Sequence, residues 1–370
     1  MKERKITFSE RVYQIPCKNY QEAAAAMDDM IQNILTDNGL EKDWKGKKVV
    51  IKPNLLARRK PEFGVTTQPI LIEKAAAYFV QRGAKVTIAD SPGGMYSSGI
   101  LTRIYETTGM KAAAENSGAS LNFSVKTQKC DKFTVIAPLA EADLIVNVGR
   151  MKTHMLCDMT AAVKNLFGSI PGLQKAECHA HYPQKKDFCA MLVDLCLANA
   201  PMVNIIDGVI AMEGNGPAAG TLRHVGVLLG SANPFSLDLL CAHLMGFEPE
   251  EVLTVDTAVK RGLCPATVKE LTVIGSDPAK YRKKFKRPKT GKSAQLIRAL
   301  PASIVARLKR EKQPVILTKK CIGCGECARC CPVETIRIED KKAVIYHDKC
   351  IKCYCCHELC PQKAVAVKMV

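Results

Sequence analysis

The sequence predicts two unequal parts joined by a basic segment. Residues 1–278 read as an α/β domain, a mostly parallel sheet with flanking helices. Residues 315–370 read as a small α+β module, and 279–314 as the basic linker with an amphipathic helix. Two observations carry this division. Short β-branched runs alternate with helical stretches through the first part, the pattern of strands separated by crossover helices. Cysteines at three-residue intervals then crowd the chain from Cys321 to Cys360, in two copies offset by 29 positions. At 370 residues the chain can hold two domains and bury a substantial core in one of them.

Along the first part, the Ala-rich run Gln21 to Leu35 predicts a helix and Lys48 to Ile51 a buried strand. Pro69 to Arg82 predicts a second helix, with Pro at its start and Gly83 just past its end. Strands follow at Lys85–Ala89, Phe133–Ile136, Leu144–Val148, Val203–Ile206, Val225–Leu229 and Leu271–Ile274, with helices at Asp187–Ala198 and Pro234–Met245. Ligands of open α/β sheets bind beyond the carboxyl ends of strands, so the stretches after these strands are the candidate site. Four of them are rich. Lys52 and Asn54 follow the first strand, and Asp90, Gly93 and Gly94 follow the next. Gly149-Arg150-Met151-Lys152-Thr153-His154 follows Val148 and leads to Lys164 and Asn165. Asp207 to Pro217 follows Ile206 and contains Glu213, Gly214, Asn215 and Gly216.

Glycines let backbone amides approach a ligand closely. Those amides, with Lys52, Lys152 and Lys164, suit a carboxylate or phosphate, and Asn54, Asp90, Asn165 and Asn215 belong to the same candidate site. Any one of these stretches alone is equally a tight turn with a solvated lysine rim; four together favour an anion site. Neither Gly-x-Gly-x-x-Gly nor a Walker A run occurs, which excludes the usual nucleotide fingerprints. No Gly-x-Ser-x-Gly elbow occurs either. His154, His179 and His181 lie within 28 residues. His179-x-His181 in an extended segment would point both rings to one face and could chelate a further metal. His154 and Asp158 would share a face if that segment were helical. The competing reading makes His154 or His179 an acid–base group, with Lys152 and Glu213 as further catalytic candidates. Asp238 reads as a cap or packing partner.

The cysteine run reads Cys321-x-x-Cys324-x-x-Cys327-x-x-x-Cys331-Pro332, then Cys350-x-x-Cys353-x-x-Cys356-x-x-x-Cys360-Pro361. Three thiolates on a tight loop wrap one iron–sulfur cubane, and the fourth, beyond a helical turn, reaches the other. Cys321, Cys324, Cys327 and Cys360 would hold one [4Fe–4S] cluster. Cys350, Cys353, Cys356 and Cys331 would hold the second. Zinc sites use two separated pairs, and disulfides fit poorly where no signal peptide is evident. Cys330 and Cys355 are extra thiols beside ligands. The segment resembles the two-cluster ferredoxins along its length.

The four strand-end stretches together resemble the domain of unknown function 362 family, over Lys48 to Gly246. The resemblance implies fusion to a ferredoxin module and brings no reaction with it. A looser likeness, to the lactate racemase architecture, is one of fold.

The formal net charge is +18, and Lys280 to Lys312 holds 13 Lys and Arg against Glu311 alone. Such a run suits an anionic surface or an acidic redox partner; without interleaved aromatics it does not suit nucleic acid. A solvated linker is the competing reading. No apolar run reaches the ~18–20 residues that would cross a bilayer, and no signal-peptide pattern opens the chain, so a cytoplasmic protein is expected. The combined reading is a ferredoxin-coupled oxidoreductase acting on a small anion and served by a redox partner protein. An electron-transfer adaptor, or a protein that handles a metal or cofactor, are the alternatives. A cluster within reach of His154 would favour the enzyme, and clusters facing outward the adaptor.

Overall fold

In the computed structural model, residues 5, 6, 8–40, 43–288 and 312–369 are described. The larger part is built on a nine-stranded mixed, mostly parallel sheet. Its strands are β1 (Arg11–Pro16), β2 (Lys48–Lys52), β3 (Lys85–Ile88), β4 (Ser120–Leu121), β7 (Leu144–His154), β8 (Asp158–Thr160), β9 (Val203–Glu213), β10 (Thr221–Ser231) and β11 (Thr272–Gly275). They lie in the order β11-β1-β10-β9-β7-β2-β3-β4, with β8 paired antiparallel to β7. Strands β9, β7, β2, β3 and β4 are parallel neighbours, and β10 joins β9 and β1 antiparallel. The near-continuous Val/Ile runs of β2 and β7 follow from burial on both faces. Helices pack on each side. One core gathers Met27, Met30, Ile31, Phe79 and Leu71 over β2 and β3; others gather Leu237, Leu240 and Met245, and Phe188, Leu192 and Leu195.

The helix Pro69–Val80 carries Pro in its first turn, and Gly83 follows at φ +78. The helix expected over Gln21–Leu35 divides at Ala26 into Tyr20–Ala25 and Met27–Asp37; ψ there is −7, well off the helical value. Phe133–Ile136 (β6) is a strand, but it pairs with β5 (Thr127–Cys130) in a separate hairpin.

Two expected loops are strands. β7 continues through Gly149–His154 and β9 through Asp207–Glu213, both far past the point where β2 ends against Asn147. They pair with each other as far as Lys152↔Met212, while β8 and β10 cover their free edges. The extensions therefore satisfy their backbone groups as sheet and can be buried, as every residue of β7 is.

The C-terminal module pairs β12 (Lys312–Ile316) with β15 (Val365–Met369), and β13 (Ile336–Glu339) with β14 (Lys342–Ile345). Short helices Glu326–Arg329 and Cys355–Leu359 occupy equivalent places in the repeat. The expected amphipathic run 296–308 lies outside the described residues. The start of the basic segment packs on the larger part: Phe285 is buried, Lys283 and Phe285 donate amides to Leu244 and Met245, and Gly214 donates to the Lys286 carbonyl.

The module sits over the carboxyl ends of the parallel strands. Arg59, after β2, donates through Nη2 to the carbonyls of Cys360 (3.0 Å) and Pro361 (2.8 Å). Gly93, after β3, packs so closely on Leu359 that a Cβ there would overlap it.

Candidate functional site

Between the two parts lies a cavity. Its floor comes from the larger part: Asn54, Asp90, Gly93, Gly94, Lys152, His154, Lys164, Asn165 and His179. Its roof is Cys330, Cys355, Glu358 and Leu359 of the cysteine module. Eight residues expected from three of the strand-end stretches thus meet in one place, with His179 beside them. Lys52 sits just beneath: its Nζ is 2.7 Å from Asp90 Oδ1, and both side chains are buried. Asp90 Oδ2 also accepts from the Leu55 amide at 2.7 Å. Gly168 makes this pair possible, since a Cβ there would overlap Asp90 Oδ1 and fall 2.6 Å from Lys52 Nζ.

The three cavity lysines differ. Lys175, which the strand-end logic did not single out, has its Nζ among four acceptors: the carbonyls of Ser91, Pro92 and Ile170 and the Ser91 hydroxyl. Burial lowers it to about 7 against the attraction of Asp90. Lys164 lies 4.6 Å over the Phe167 ring, and among the described residues no hydrogen bond or ion pair joins its ammonium. Lys152 is fully buried at the end of β7 and donates to Asn54 Oδ1 (2.6 Å) and the Val65 carbonyl (2.9 Å). Burial first, then Arg150 and Lys164, push it down to about 7.

His154 ends β7, where the hairpin turns into β8. Its Nδ1 accepts from the amides of Leu156 and Cys157, both at 3.1 Å. Its Nε2 lies 3.2 Å from Glu358 Oε1 of the helix Cys355–Leu359, at ion-pair distance but without hydrogen-bond alignment. Burial lowers the His154 pKa, and two amides aimed at Nδ1 keep that nitrogen unprotonated. The proton of the neutral ring therefore sits on Nε2, facing the carboxylate. Burial would raise Glu358, but the His154 ring and Lys164 outweigh it and the carboxyl stays below the usual range. His179 stacks on Phe188 at 4.2 Å and meets Phe167 edge-on; burial holds it neutral, with a pKa of about 3.

Several expectations are corrected. His179 and His181 lie on the helix Gln174–His181, not on an extended segment, so positions two apart diverge. His179 is buried and His181 exposed. His154 and Asp158 face each other across a β-hairpin rather than along a helix, and Asp158 pairs with Lys185. Among the described residues, no group of three or more His, Cys, Asp or Glu could hold a single metal ion. Glu213 points away from the cavity, paired with Arg223 at 2.6 Å and with the Lys286 amide at 3.0 Å. Gly214, Asn215 and Gly216 are not among the lining residues, although Pro217 is. Gly216 instead lets its turn lie against the Thr153 backbone. Asp207 is buried beside Arg150 and Tyr20. Asp238 caps the short helix Ala162–Asn165, accepting the amides of Ala162 and Val163.

The cysteines ring two further cavities. One is lined by Cys321, Cys324, Cys327 and Cys360, the other by Cys331, Cys350, Cys353 and Cys356 together with Cys355. Backbone amides approach the sulfurs: Ala343 to Cys321 (3.3 Å), Ala364 to Cys360 (3.1 Å) and Thr335 to Cys331 (3.4 Å). Amides aimed at sulfur favour thiolates and are the surroundings that set cluster potentials. The donor set fits two cubanes.

Residues 49–243 match the model described as domain of unknown function (DUF362), more than half of the chain. The chain belongs to the DUF362 family. Residues 313–361 of this family member also match a 4Fe-4S dicluster domain, so it carries iron–sulfur electron-transfer capacity. It is 30% identical over 239 residues to the thylakoid-associated protein sll1697 of Synechocystis sp., covering 63% of this chain and 73% of that protein. Among solved structures it is similar to the lactate racemase apoprotein of Thermoanaerobacterium thermosaccharolyticum. There the identity is 10% and the TM-score 0.40, over 64% of this chain and 57% of that one. No described helix of this DUF362 protein is long and apolar enough to cross a membrane.

Proposed function

We propose that this protein is a ferredoxin-coupled oxidoreductase acting on a small carboxylate or phosphate bound in the cavity between its two parts. The observation that supports this is the shared wall. Lys152, Lys164 and His154 face the helix Cys355–Leu359, and that helix contains Cys356 and is followed directly by Cys360. Cys321, Cys324, Cys327 and Cys360 would hold one cluster, and Cys350, Cys353, Cys356 and Cys331 the other. When bound, such clusters supply one-electron transfer.

The chain's own residues bind and orient. Lys164 offers an ammonium that, among the described residues, no hydrogen bond or ion pair engages, so it binds the anion. Asn54 and Asn165 fix the floor, and the neutral His154 ring, held by two amides at Nδ1 with Nε2 facing Glu358, is placed to move a proton. Cys324 and Ile322, at the cavity away from the substrate, are exposed and suit a redox partner protein. This placement favours the enzyme over the adaptor, because the other cysteine cavity lies beside the substrate cavity.

The full chain, reconstituted anaerobically and reduced, tests the proposal by its electron paramagnetic resonance spectrum during titration with acetate, dicarboxylates and phosphate. A saturable change is expected, weakened about 10-fold or more in Lys164→Gln, since a charge-assisted hydrogen bond contributes roughly 1.5–3 kcal/mol. A spectrum indifferent to every anion would support the adaptor instead.

A further inference from the structure

We infer that Lys152 is a proton donor of this cavity beside His154, and that Asn54, Asn165, Asn147 and Asn204 form a one-way hydrogen-bond chain that holds it in that role. The inference rests on the reading of the cavity as a substrate site.

The chain starts deep in the sheet. Asn204 Nδ2 faces only carbonyls, those of Pro201, Ser231 and Ala232, so it must donate and turn Oδ1 the other way. That oxygen accepts from Asn147 Nδ2 at 2.9 Å. Asn147 Oδ1 accepts from Asn165 Nδ2 at 2.8 Å, and Asn165 Oδ1 from Asn54 Nδ2 at 3.0 Å. Asn54 is left showing an oxygen to Lys152 Nζ, 2.6 Å away. Reversing one amide would require reversing all four, and would leave Asn204 Oδ1 buried against three carbonyls.

The consequence falls on Lys152. Asn54 Oδ1 and the Val65 carbonyl are both acceptors, so they favour the ammonium and take two of its three N–H groups. Among the described residues no carboxylate takes the third, and Lys152 lines the cavity. Burial, Arg150 on the same strand and Lys164 from the short helix oppose its charge; Glu358 from the cysteine module and Asp90 after β3 favour it. The balance, a value of about 7, suits proton transfer at neutral pH. Lys175 has four acceptors around its Nζ, and Lys52 is paired with Asp90, so neither can serve. Clusters held by Cys321, Cys324, Cys327 and Cys360 and by Cys350, Cys353, Cys356 and Cys331 would supply electrons one at a time. For each pair that reduces the bound substrate, an Nζ–H bond of Lys152 would break as one O–H or C–H bond forms on the substrate, which keeps the remaining negative charge. Lys152 remains as the neutral amine until it takes a proton from solvent.

The test is a pH titration of the oxidised full chain labelled with ¹³C at lysine Cε, with Lys152→Arg to assign the signal. Two lysine signals, those of Lys152 and Lys175, should titrate near pH 7; the one that vanishes in Lys152→Arg should move upward on adding inorganic phosphate or acetate. In Asn54→Ala, with Asn165→Ser as a second break, its midpoint should fall by about one unit, the loss of one charge-assisted bond. A signal assigned to Lys152 that titrates near 10 would overturn the donor role, and an unmoved midpoint in both asparagine variants would overturn the chain. A midpoint near 7 that neither anion moves would overturn the substrate site beneath the inference.

Discussion

Gly168→Ala is the sharpest probe of the cavity floor, because a single methyl has nowhere to go. The new Cβ would overlap Asp90 Oδ1 and lie 2.6 Å from Lys52 Nζ, where about 3.4 Å is the least that ordinary contact allows. Neither neighbour can yield. Asp90 is held on its other oxygen by the Leu55 amide, and Lys52 also donates to the Pro53 carbonyl at 3.1 Å. The pair must open, and separating two fully buried charges costs roughly 3–5 kcal/mol. At about 2–4 °C per kcal/mol for a body of this size, the melting temperature should drop by roughly 6–20 °C. The assay is calorimetry under anaerobic conditions, with Gly99→Ala as control. A Cβ at Gly99 meets nothing within 4 Å on a helix, so that change should be neutral or slightly stabilising. If Gly168→Ala melts within about 1 kcal/mol of the parent, the floor is pliant and the rigid ion pair is refuted as its foundation.

Two other expectations follow from the same geometry. Cys321→Ala should lose the iron and visible absorbance of one cluster while the larger part keeps its melting transition, whereas Cys330→Ala and Cys355→Ala should keep full iron content; equal iron in Cys321→Ala would refute the ligand assignment. His179 should steepen acid unfolding. With a folded value of about 3 against about 6.5 unfolded, the unfolded chain binds a proton between those limits that the folded chain refuses. Stability therefore falls as pH drops below 6.5, by about 2–3 kcal/mol at pH 4.5, and His179→Gln should remove that part of the slope in a urea titration at several pH values.

Much of the fold was legible because local pattern and burial agree. The Val/Ile runs of β2 and β7, the Pro-to-Gly bounds of the helix starting at Pro69, and the doubled cysteine spacing each encode their own geometry. The strand extensions were not legible. Gly149–His154 carries an Arg, a Lys and a His, which locally resembles a loop. It becomes strand because β8 and β9 supply backbone partners, and the charged side chains are received by residues far along the chain. Arg150 donates to the carbonyls of Thr66 and Ile210, and Lys152 to Asn54. The helix Gln174–His181 misled for the opposite reason: a His-x-His spacing has no preferred conformation, and its Ala, Glu, Gln and Lys neighbours favour helix.

The roof of the cavity was beyond sequence in a deeper sense. Glu358 and Leu359 lie within the Cys356-x-x-x-Cys360 interval, where any residue compatible with a helical turn would serve the spacing. Their identity is explained only from across the interface. Leu359 needs a glycine opposite it and finds Gly93, and Glu358 lies against a buried imidazole, His154. Arg59 needs two free carbonyls and finds those of Cys360 and Pro361. Each contact joins residues roughly 200 to 300 positions apart, in segments that each look complete alone. A glutamate is an odd choice for a buried turn beside thiolates, since like charges resist crowding. It is intelligible only if His154, Lys152 and Lys164 were arranged to receive it, which makes that one carboxylate the residue that ties the cysteine module to the anion site.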